Sequence, residues 1–181
     1  MVRSEFADFV DRQDLTSQSA LDLGCGEGRY ALFLARRGCR VTAVDRSRTG
    51  LEKLAATARA EKLPVTPHLA DMADFDFSGR TWDIIVAATL LDHLEEPVRS
   101  RIVRDIRSAL KPGGFLYINV FTRDDPGYHR ETGKCEKEPP AAVSDTAGCM
   151  AYYYDRRELV NLFADWIIHP VSYTHLTLPT N

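Results

Sequence analysis

The feature that most constrains this chain is a glycine-rich turn between an apolar run and a helical pattern. The turn reads LDLGCGEGR over residues 21–29, with Gly24, Gly26 and Gly28 at alternate positions. We expect a short buried strand before it and a helix from Glu27 to Arg37 after it. Glycine allows the backbone to pass unusually close to a ligand. Any tight strand-to-helix turn can also use glycine, so the turn alone is a weak functional signal.

Apolar runs and helical patterns alternate along the chain. Five runs are predicted to be strands, at residues 20–23, 40–44, 65–70, 82–88 and 115–121. Helices are predicted around them, at residues 4–15, 27–37, 51–58, 97–110 and from Asp155, where Glu158 completes a capping box. LKPGG at 110–114 is expected to stop the fourth helix and turn the chain. Strands separated by helices indicate an α/β fold with a doubly wound, mostly parallel sheet.

In such a sheet, ligands bind beyond the carboxyl ends of the strands, and three of these ends carry suitable groups. Asp45 follows the second strand and is placed to accept the hydroxyls of a ribose. After the third strand, Asp71 is a candidate acceptor for an adenine amino group, and Met72 is a candidate to pack on the ring. Ala88 leaves room at the fourth end for a backbone carbonyl to reach an ammonium group. His93 is a candidate base, although a histidine at a helix start is more often structural.

In their order and spacing, LDLGCGEGR, VTAVDRS, LADMADF, WDIIVAATLLDHL and LKPGGFLYINVF resemble the class I S-adenosylmethionine-dependent methyltransferases. FTRDDPGY and YYYDRRELVNLFADW are similar to the tellurite-resistance (TehB-type) members. The resemblance implies a Rossmann-like fold, S-adenosylmethionine as cofactor, and methyl transfer to a small molecule. It also implies these cofactor-binding residues: Asp22, Gly24, Cys25, Gly26, Gly28, Asp45, Arg46, Asp71, Met72 and Ala88. Among them, Asp22 and the glycines would hold the methionine part, Asp45 the ribose, and Asp71 with Met72 the adenine.

The end of the chain departs from the family pattern. Residues 171–180 can be encoded in one frame by a string that resembles a transposase adapter used in shotgun sequencing. We therefore expect a methyltransferase domain over residues 1–169, truncated at its C-terminus, and a non-native tail over residues 170–181. Residues 166–169 are expected to begin the first strand of an incomplete C-terminal hairpin. The family's residues for a chalcogen substrate would be missing, so no catalytic residue is assigned.

The charge, apolar runs and cysteines of the chain limit the kinds of partner that it is expected to bind. A net charge of -3 gives no global basic footprint for nucleic acid or a membrane surface. No apolar run approaches the length of a membrane span, and no signal peptide is visible. The four cysteines show no CxxC pair, which indicates reduced thiols in a cytoplasmic protein and no metal site. A small-molecule substrate is therefore expected.

The acceptor and the mode of action stay open. A thiol or chalcogen anion is one candidate acceptor, because it needs no general base. It would enter between residues 89–93 and a lid-like loop at 122–151, whose candidate contacts are Arg123, Tyr128 and Cys149. An NAD-linked oxidoreductase is the less favoured alternative, since Arg29 stands where a third fingerprint glycine should be. A non-catalytic module that binds S-adenosylmethionine or adenosine is the other.

Overall fold

The computed structural model describes residues 2–125, 128, 142–144 and 150–168. They divide into two compact units. The first comprises residues 1–90 and 95–119, and the second comprises residues 91–94 and 120 onward. No helix among the described residues has the length and apolar character needed to cross a bilayer. Residues 169–181, including the predicted tail, lie outside the described residues, as do Cys135 and Cys149.

The first unit contains a five-stranded parallel sheet in the order β3-β2-β1-β4-β5. Its strands are β1 (Ser19–Leu23), β2 (Arg40–Asp45), β3 (Val65–Leu69), β4 (Trp82–Ala88) and β5 (Leu110–Asn119). Its helices are α1 (Ser4–Val10), α2 (Arg29–Ala35), α3 (Arg48–Ala60) and α4 (Glu96–Ala109). The predicted α/β fold class is confirmed. The strand order reverses between β1 and β4, which opens a crevice at their carboxyl ends.

The core lies on both sides of the two central strands. Leu21 and Leu23 in β1 and Ile84 and Ile85 in β4 are completely buried, as expected for parallel strands covered by helices on both faces. Each such side chain contributes roughly 1.5–3 kcal/mol when it is removed from water. This rigid centre holds the carboxyl ends of β1 and β4 in place.

The ends of α3 and α4 follow local sequence signals. Ser47 precedes α3, and its hydroxyl accepts a hydrogen bond from Gly50 N at 3.1 Å. Pro97 lies in the first turn of α4, as predicted. Leu110, predicted to lie on the α4 face, is instead the first residue of β5 and pairs with Trp82.

β5 corrects a second prediction. The LKPGG segment was expected to be a turn before a strand at 115–121, but it belongs to β5, which ends at Asn119. The register between β4 and β5 shifts between Trp82 and Ile84, so the extra residues form an irregularity within the pairing. Gly114 fits there because a Cβ would lie 2.6 Å from the Asp83 carbonyl oxygen. Gly114 therefore allows close strand packing where the sequence indicated a turn.

The second unit contains a short antiparallel pair, β6 (Ala142–Ser144) and β7 (Met150–Tyr152), and a helix, α5 (Arg156–Leu162). β6 and the first two residues of β7 lie inside the segment 122–151, which was predicted to be a lid-like loop. The capping box of Asp155 and Glu158 at the start of α5 is confirmed.

The strand predicted to start at residue 166 is wrong for the described residues 166–168. The Trp166 N–H donates to the Phe163 carbonyl at 2.9 Å, and the two rings pack edge to face with centroids 5.6 Å apart. These contacts close a turn after α5. A strand also needs a paired neighbour, and none pairs with this segment in the described part of the chain.

Candidate functional site

The predicted cofactor residues all belong to the first unit, along the carboxyl edge of its sheet. Asp22 lies near the end of β1, and the glycine turn follows that strand. Asp45 and Ala88 are the last residues of β2 and β4, and Asp71 comes two residues after β3. Because the strands are parallel, their ends face the same edge. The topology therefore brings the four predicted segments to one side of the sheet.

The glycine turn is fastened to the end of β2. Its Gly24 and Cys25 amides both donate to the Val44 carbonyl, at 2.8 and 3.0 Å. Gly28 precedes α2 with a φ of +83°, a left-handed conformation that favours glycine. A Cβ on Gly28 would also lie 2.2 Å from Leu54 Cδ1, inside any permitted contact. Alanine at this position would therefore force the buried Leu54 side chain to move and would also be strained at this positive φ.

Gly50 is a site residue that the sequence reasoning missed. It lies in the first turn of α3, where a Cβ would come within 2.9 Å of the Gly26 carbonyl oxygen. The helix can therefore lie directly against the glycine turn only because residue 50 has no side chain. An isolated glycine inside a helical pattern was the available signal, since it usually has a packing or functional reason.

Asp45 holds the turn from the β2 side. Its Oδ2 accepts a hydrogen bond from Gly26 N, and its Oδ1 accepts one from Ser47 N, both at 2.7 Å. A carboxylate has about four acceptor sites, so both oxygens keep capacity for further donors. The half-buried Asp45 is thus positioned to accept ribose hydroxyls. Its neighbour Arg46 is exposed.

Asp22 lies beneath the turn and is 1% exposed. Its Oδ2 accepts a hydrogen bond from Ala31 N in α2 at 2.9 Å. Burial raises the pKa of Asp22 to about 7; the Ala31 hydrogen bond opposes this rise, and the negative charge of Asp45 adds to it. This hydrogen bond links β1 to α2 on either side of the glycine turn. Asp22 would therefore influence a bound ligand through the position of that turn. That it helps to hold the methionine part of the cofactor stays a prediction.

Cys25 has a buried thiol with no disulfide. Burial raises the pKa of the Cys25 thiol far above its ordinary value, and the nearby charges of Asp22 and Asp45 raise it further. The thiol therefore stays protonated and is a poor nucleophile. Cys25 contributes to the turn through its backbone amide.

The segment after β3 presents the predicted adenine contacts. Asp71 is exposed, and its Oδ1 accepts a hydrogen bond from Ala73 N at 2.9 Å. Met72 is buried, and its carbonyl accepts a hydrogen bond from the Arg101 guanidinium. Sequence reasoning missed Arg101, which lies 28 residues beyond Ala73 and also donates to the Ala73 carbonyl at 3.0 Å.

The β4 end has an unusual backbone conformation. Thr89 follows Ala88 with a φ of +51°, which is rare for a β-branched residue. Its amide donates to the Asn119 carbonyl, and its hydroxyl donates to the Ala88 carbonyl, both at 2.7 Å. The Ala88 carbonyl therefore already accepts one hydrogen bond. That it also reaches an ammonium group stays a prediction.

The second unit contains the remaining predicted residues. Tyr128 is buried in a small cluster with Ala151 and Tyr153, and Arg123 is exposed. The exposed His93 packs edge to face on Phe121 with centroids 5.7 Å apart. A catalytic role for His93 stays a prediction.

Asp92, beside His93, was not singled out from the sequence. Its carboxylate is 1% exposed, and neither oxygen has a partner in hydrogen-bonding geometry among the described residues. Burial raises its pKa, and the charge of His93 opposes that rise. A buried carboxyl group of this kind is a candidate proton acceptor.

Comparison with known families identifies the first unit. Residues 20–114 match the family model described as a methyltransferase domain. The chain belongs to this methyltransferase domain family. The match covers more than half of the 181 residues and includes the glycine turn, Asp45, Asp71 and Ala88.

Known proteins are similar in sequence to part of this chain. The ubiquinone biosynthesis O-methyltransferase of Coxiella burnetii (strain Dugway 5J108-111) is 28% identical over 121 residues, which cover 66% of this chain and 51% of that protein. The chain thus spans about half the length of the curated relatives it matches.

Two solved structures share the fold over 91% of this chain. TehB from Haemophilus influenzae superimposes with a TM-score of 0.70 at 21% identity, over 51% of that chain. A SAM-dependent methyltransferase from Methanosarcina mazei superimposes with a TM-score of 0.71 at 24% identity, over 84% of that chain.

The family match confirms the methyltransferase resemblance, with S-adenosylmethionine as the cofactor. The two solved structures confirm the Rossmann-like fold. The interpretation as an NAD-linked oxidoreductase is wrong. The glycine turn and Asp45 together fit an adenosine-containing ligand. The turn lets a ligand approach its backbone, and the Asp45 carboxylate beside it has spare acceptor sites for hydroxyl groups. The individual ligand contacts stay predictions.

Proposed function

We propose that this chain binds S-adenosylmethionine along the carboxyl edge of its sheet and supports methyl transfer to a small-molecule acceptor. The observation that carries the proposal is Asp45, whose carboxylate is bonded to the glycine turn at 2.7 Å while keeping acceptor sites for a ribose. The turn would hold the methionine part, Asp71 and Met72 the adenine, and the Ala88 carbonyl the ammonium group.

When bound, S-adenosylmethionine supplies an electrophilic methyl group. The chain's contribution is to orient the cofactor and exclude alternative poses, and such positioning can lower a barrier by roughly 7–11 kcal/mol. The turn suits this task because contacts within the chain hold it: it is hydrogen-bonded to β2 and packed against α3. A site held in this way spends less of the binding free energy on ordering.

For the acceptor, we propose a thiol or a chalcogen anion, in line with the resemblance to tellurite-resistance methyltransferases. A soft anion reacts without a general base. A hydroxyl acceptor is the second candidate, supported by the ubiquinone biosynthesis O-methyltransferase among the relatives. A hydroxyl acceptor would need a general base to take up its proton.

Binding is tested by calorimetric titration with S-adenosylhomocysteine, with NAD as the control ligand. Asp45→Ala should weaken S-adenosylhomocysteine binding at least tenfold, because hydrogen bonds to a charged group are each worth roughly 1.5–3 kcal/mol. Glu52→Gln is the matched control, since Glu52 is an exposed carboxylate on the adjacent helix. Unchanged affinity in Asp45→Ala would remove Asp45 from the site. Tighter binding of NAD would refute the proposal.

Catalysis is tested separately by release of S-adenosylhomocysteine from S-adenosylmethionine. Benzenethiol, hydrogen selenide and catechol represent the acceptor classes. Turnover with the first two alone supports the thiol or chalcogen proposal, and turnover with catechol alone supports the hydroxyl candidate. Tight binding without turnover on any of them favours the alternative of a non-catalytic binding module.

We also propose that the partner is a small molecule rather than nucleic acid or a membrane, and that the protein is cytoplasmic. The net charge of -3 supports the first statement. The buried free thiols of Cys25 and Cys39 support the second, since such thiols suit a reducing compartment.

A further inference from the structure

Arg101 makes an unusual set of contacts with the segment that follows β3. Its guanidinium donates to the carbonyls of Met72, Ala73 at 3.0 Å and Phe75 at 3.4 Å. The same group donates to Asp105 Oδ2 at 3.0 Å, one helical turn along α4. One side chain thus holds three carbonyls of a segment that comes from a different part of the sequence.

Strand pairing supports this segment only at its start. β3 is the edge strand of the sheet, so only β2 pairs with it. The ladder between them ends at Leu69, and the Ala70 amide makes one more bond, to the Asp45 carbonyl at 3.1 Å. Beyond that point no strand ladder fixes the backbone of the segment. The Asp74 amide closes a turn onto the Asp71 carbonyl at 3.0 Å, and the carbonyls of the next two residues are bonded by Arg101.

The segment also carries the predicted adenine contacts. Asp71 Oδ1 accepts a hydrogen bond from Ala73 N, so the direction of the Asp71 carboxylate depends on where the Ala73 backbone lies. Arg101 holds the carbonyl of that same residue. Met72, whose carbonyl is another Arg101 acceptor, is buried beside it. A movement of the Arg101 side chain would therefore displace both adenine contacts together.

We propose that Arg101 is a positioning residue for the adenine end of the cofactor, holding the 71–75 segment so that Asp71 meets the adenine amino group. The inference rests on the proposed function. Arginine suits this role better than lysine because its rigid planar fork presents five donors in fixed directions. A lysine ammonium is a compact charge on a flexible stem, so it would hold the carbonyls in less well-defined positions.

A merely structural Arg101 would affect every ligand of the site equally, whereas a positioning residue for adenine would affect only ligands that carry the base. Two probes separate these cases: S-adenosylhomocysteine, and S-ribosylhomocysteine, which has the same ribose and amino acid without adenine. Calorimetric dissociation constants for both are measured on the full chain and on Arg101→Met. Arg104→Met is the control, since Arg104 is exposed on the same helix.

Arg101→Met should raise the dissociation constant of S-adenosylhomocysteine roughly tenfold and leave that of S-ribosylhomocysteine within about twofold. Arg101→Lys should recover part of the loss, and Arg104→Met should change neither constant. An equal loss for both ligands, or no loss for S-adenosylhomocysteine, would overturn the inference. If Arg101→Met fails to fold, the same comparison on Arg101→Lys decides. Failure of the unsubstituted chain to bind S-adenosylhomocysteine would instead refute the proposed function, and this inference with it.

Discussion

Asp22 should make the stability of this protein depend on pH in a direction opposite to that of an ordinary paired carboxylate. Its carboxyl group is 1% exposed, and burial raises its pKa from 3.8 to about 7. Because the folded pKa exceeds the unfolded one, the folded state binds more protons between these pH values. The stability contribution is therefore fully present below pH 3.8 and is lost as the pH rises through about 7.

The size of the effect follows from the shift. A rise from 3.8 to about 7 is about three pKa units, which corresponds to about 4 kcal/mol at 1.36 kcal/mol per unit. For a chain of this length, 1 kcal/mol changes the melting temperature by roughly 2–4 °C. The melting temperature should therefore fall by about 10 °C between pH 4 and pH 8 because of Asp22 alone. Asp22→Asn removes the titration, and its amide oxygen can still accept the hydrogen bond from Ala31 N.

The assay is thermal unfolding followed by circular dichroism from pH 4 to pH 8, on the unsubstituted protein and on Asp22→Asn. Other groups also titrate in this range, so the quantity of interest is the difference between the two curves. We expect Asp22→Asn to be the more stable protein at pH 8, with the difference closing toward pH 4. Glu52→Gln, an exposed substitution, should run parallel to the unsubstituted protein. Parallel curves for Asp22→Asn would show that the carboxyl group does not titrate as its burial requires.

Three further predictions concern the site and its support. Gly50→Ala should weaken S-adenosylhomocysteine binding about tenfold in calorimetry and also lower the melting temperature, because the added Cβ would push α3 away from the Gly26 carbonyl. An unchanged affinity would contradict the close approach. Asp71→Ala should reduce the preference for S-adenosylhomocysteine over its hypoxanthine analogue, measured by the same titration, whereas an equal effect on both ligands would argue against an adenine contact. Burial opposes ionisation of Asp83, but hydrogen bonds from Ser19 and the Lys111 ammonium outweigh it and lower the pKa of Asp83 to about 2. The stability that the ionised Asp83 contributes is therefore present above pH 3.8 and is lost as the pH falls to about 2. Urea unfolding should therefore show Asp83→Asn less stable than the unsubstituted protein at pH 6 and equal to it near pH 2, and a constant difference would contradict the shift.

Most of the fold could be predicted from the sequence because its signals are local. The Asp155–Glu158 capping box and Pro97 in the first turn of α4 both appear where expected. The prediction of a turn at the KPGG segment was wrong because glycine occurs both in turns and where two backbones approach closely. Gly114 is the second case, since its missing Cβ makes room for the Asp83 carbonyl. Only the neighbouring strand reveals which case applies.

In the candidate site, too, residues with local sequence signals could be predicted, whereas residues that act through tertiary contacts could not. The glycine turn and Asp45 could be predicted because a strand end, a turn and a carboxylate recur at fixed spacing. Gly50 left a local signal, an unexplained glycine inside a helix. Arg101 left none, because its effect depends on a tertiary contact with carbonyls about 26 to 29 residues earlier in the chain. Asp92 likewise became notable only through its burial.

The two sides of the site are supported to different degrees, and this difference should govern how substitutions act. On the ribose side, the turn is held by the Val44 carbonyl, by Asp45 and by the packing of α3 against Gly28. These supports belong to the core, so changing any of them should lower both folding stability and ligand affinity. On the adenine side, Arg101 bridges from α4 to the segment after an edge strand, and a third of its side chain is exposed. Substituting it should therefore change affinity more than stability, which makes the adenine side the part of the site where cofactor affinity can be altered at least cost to the fold.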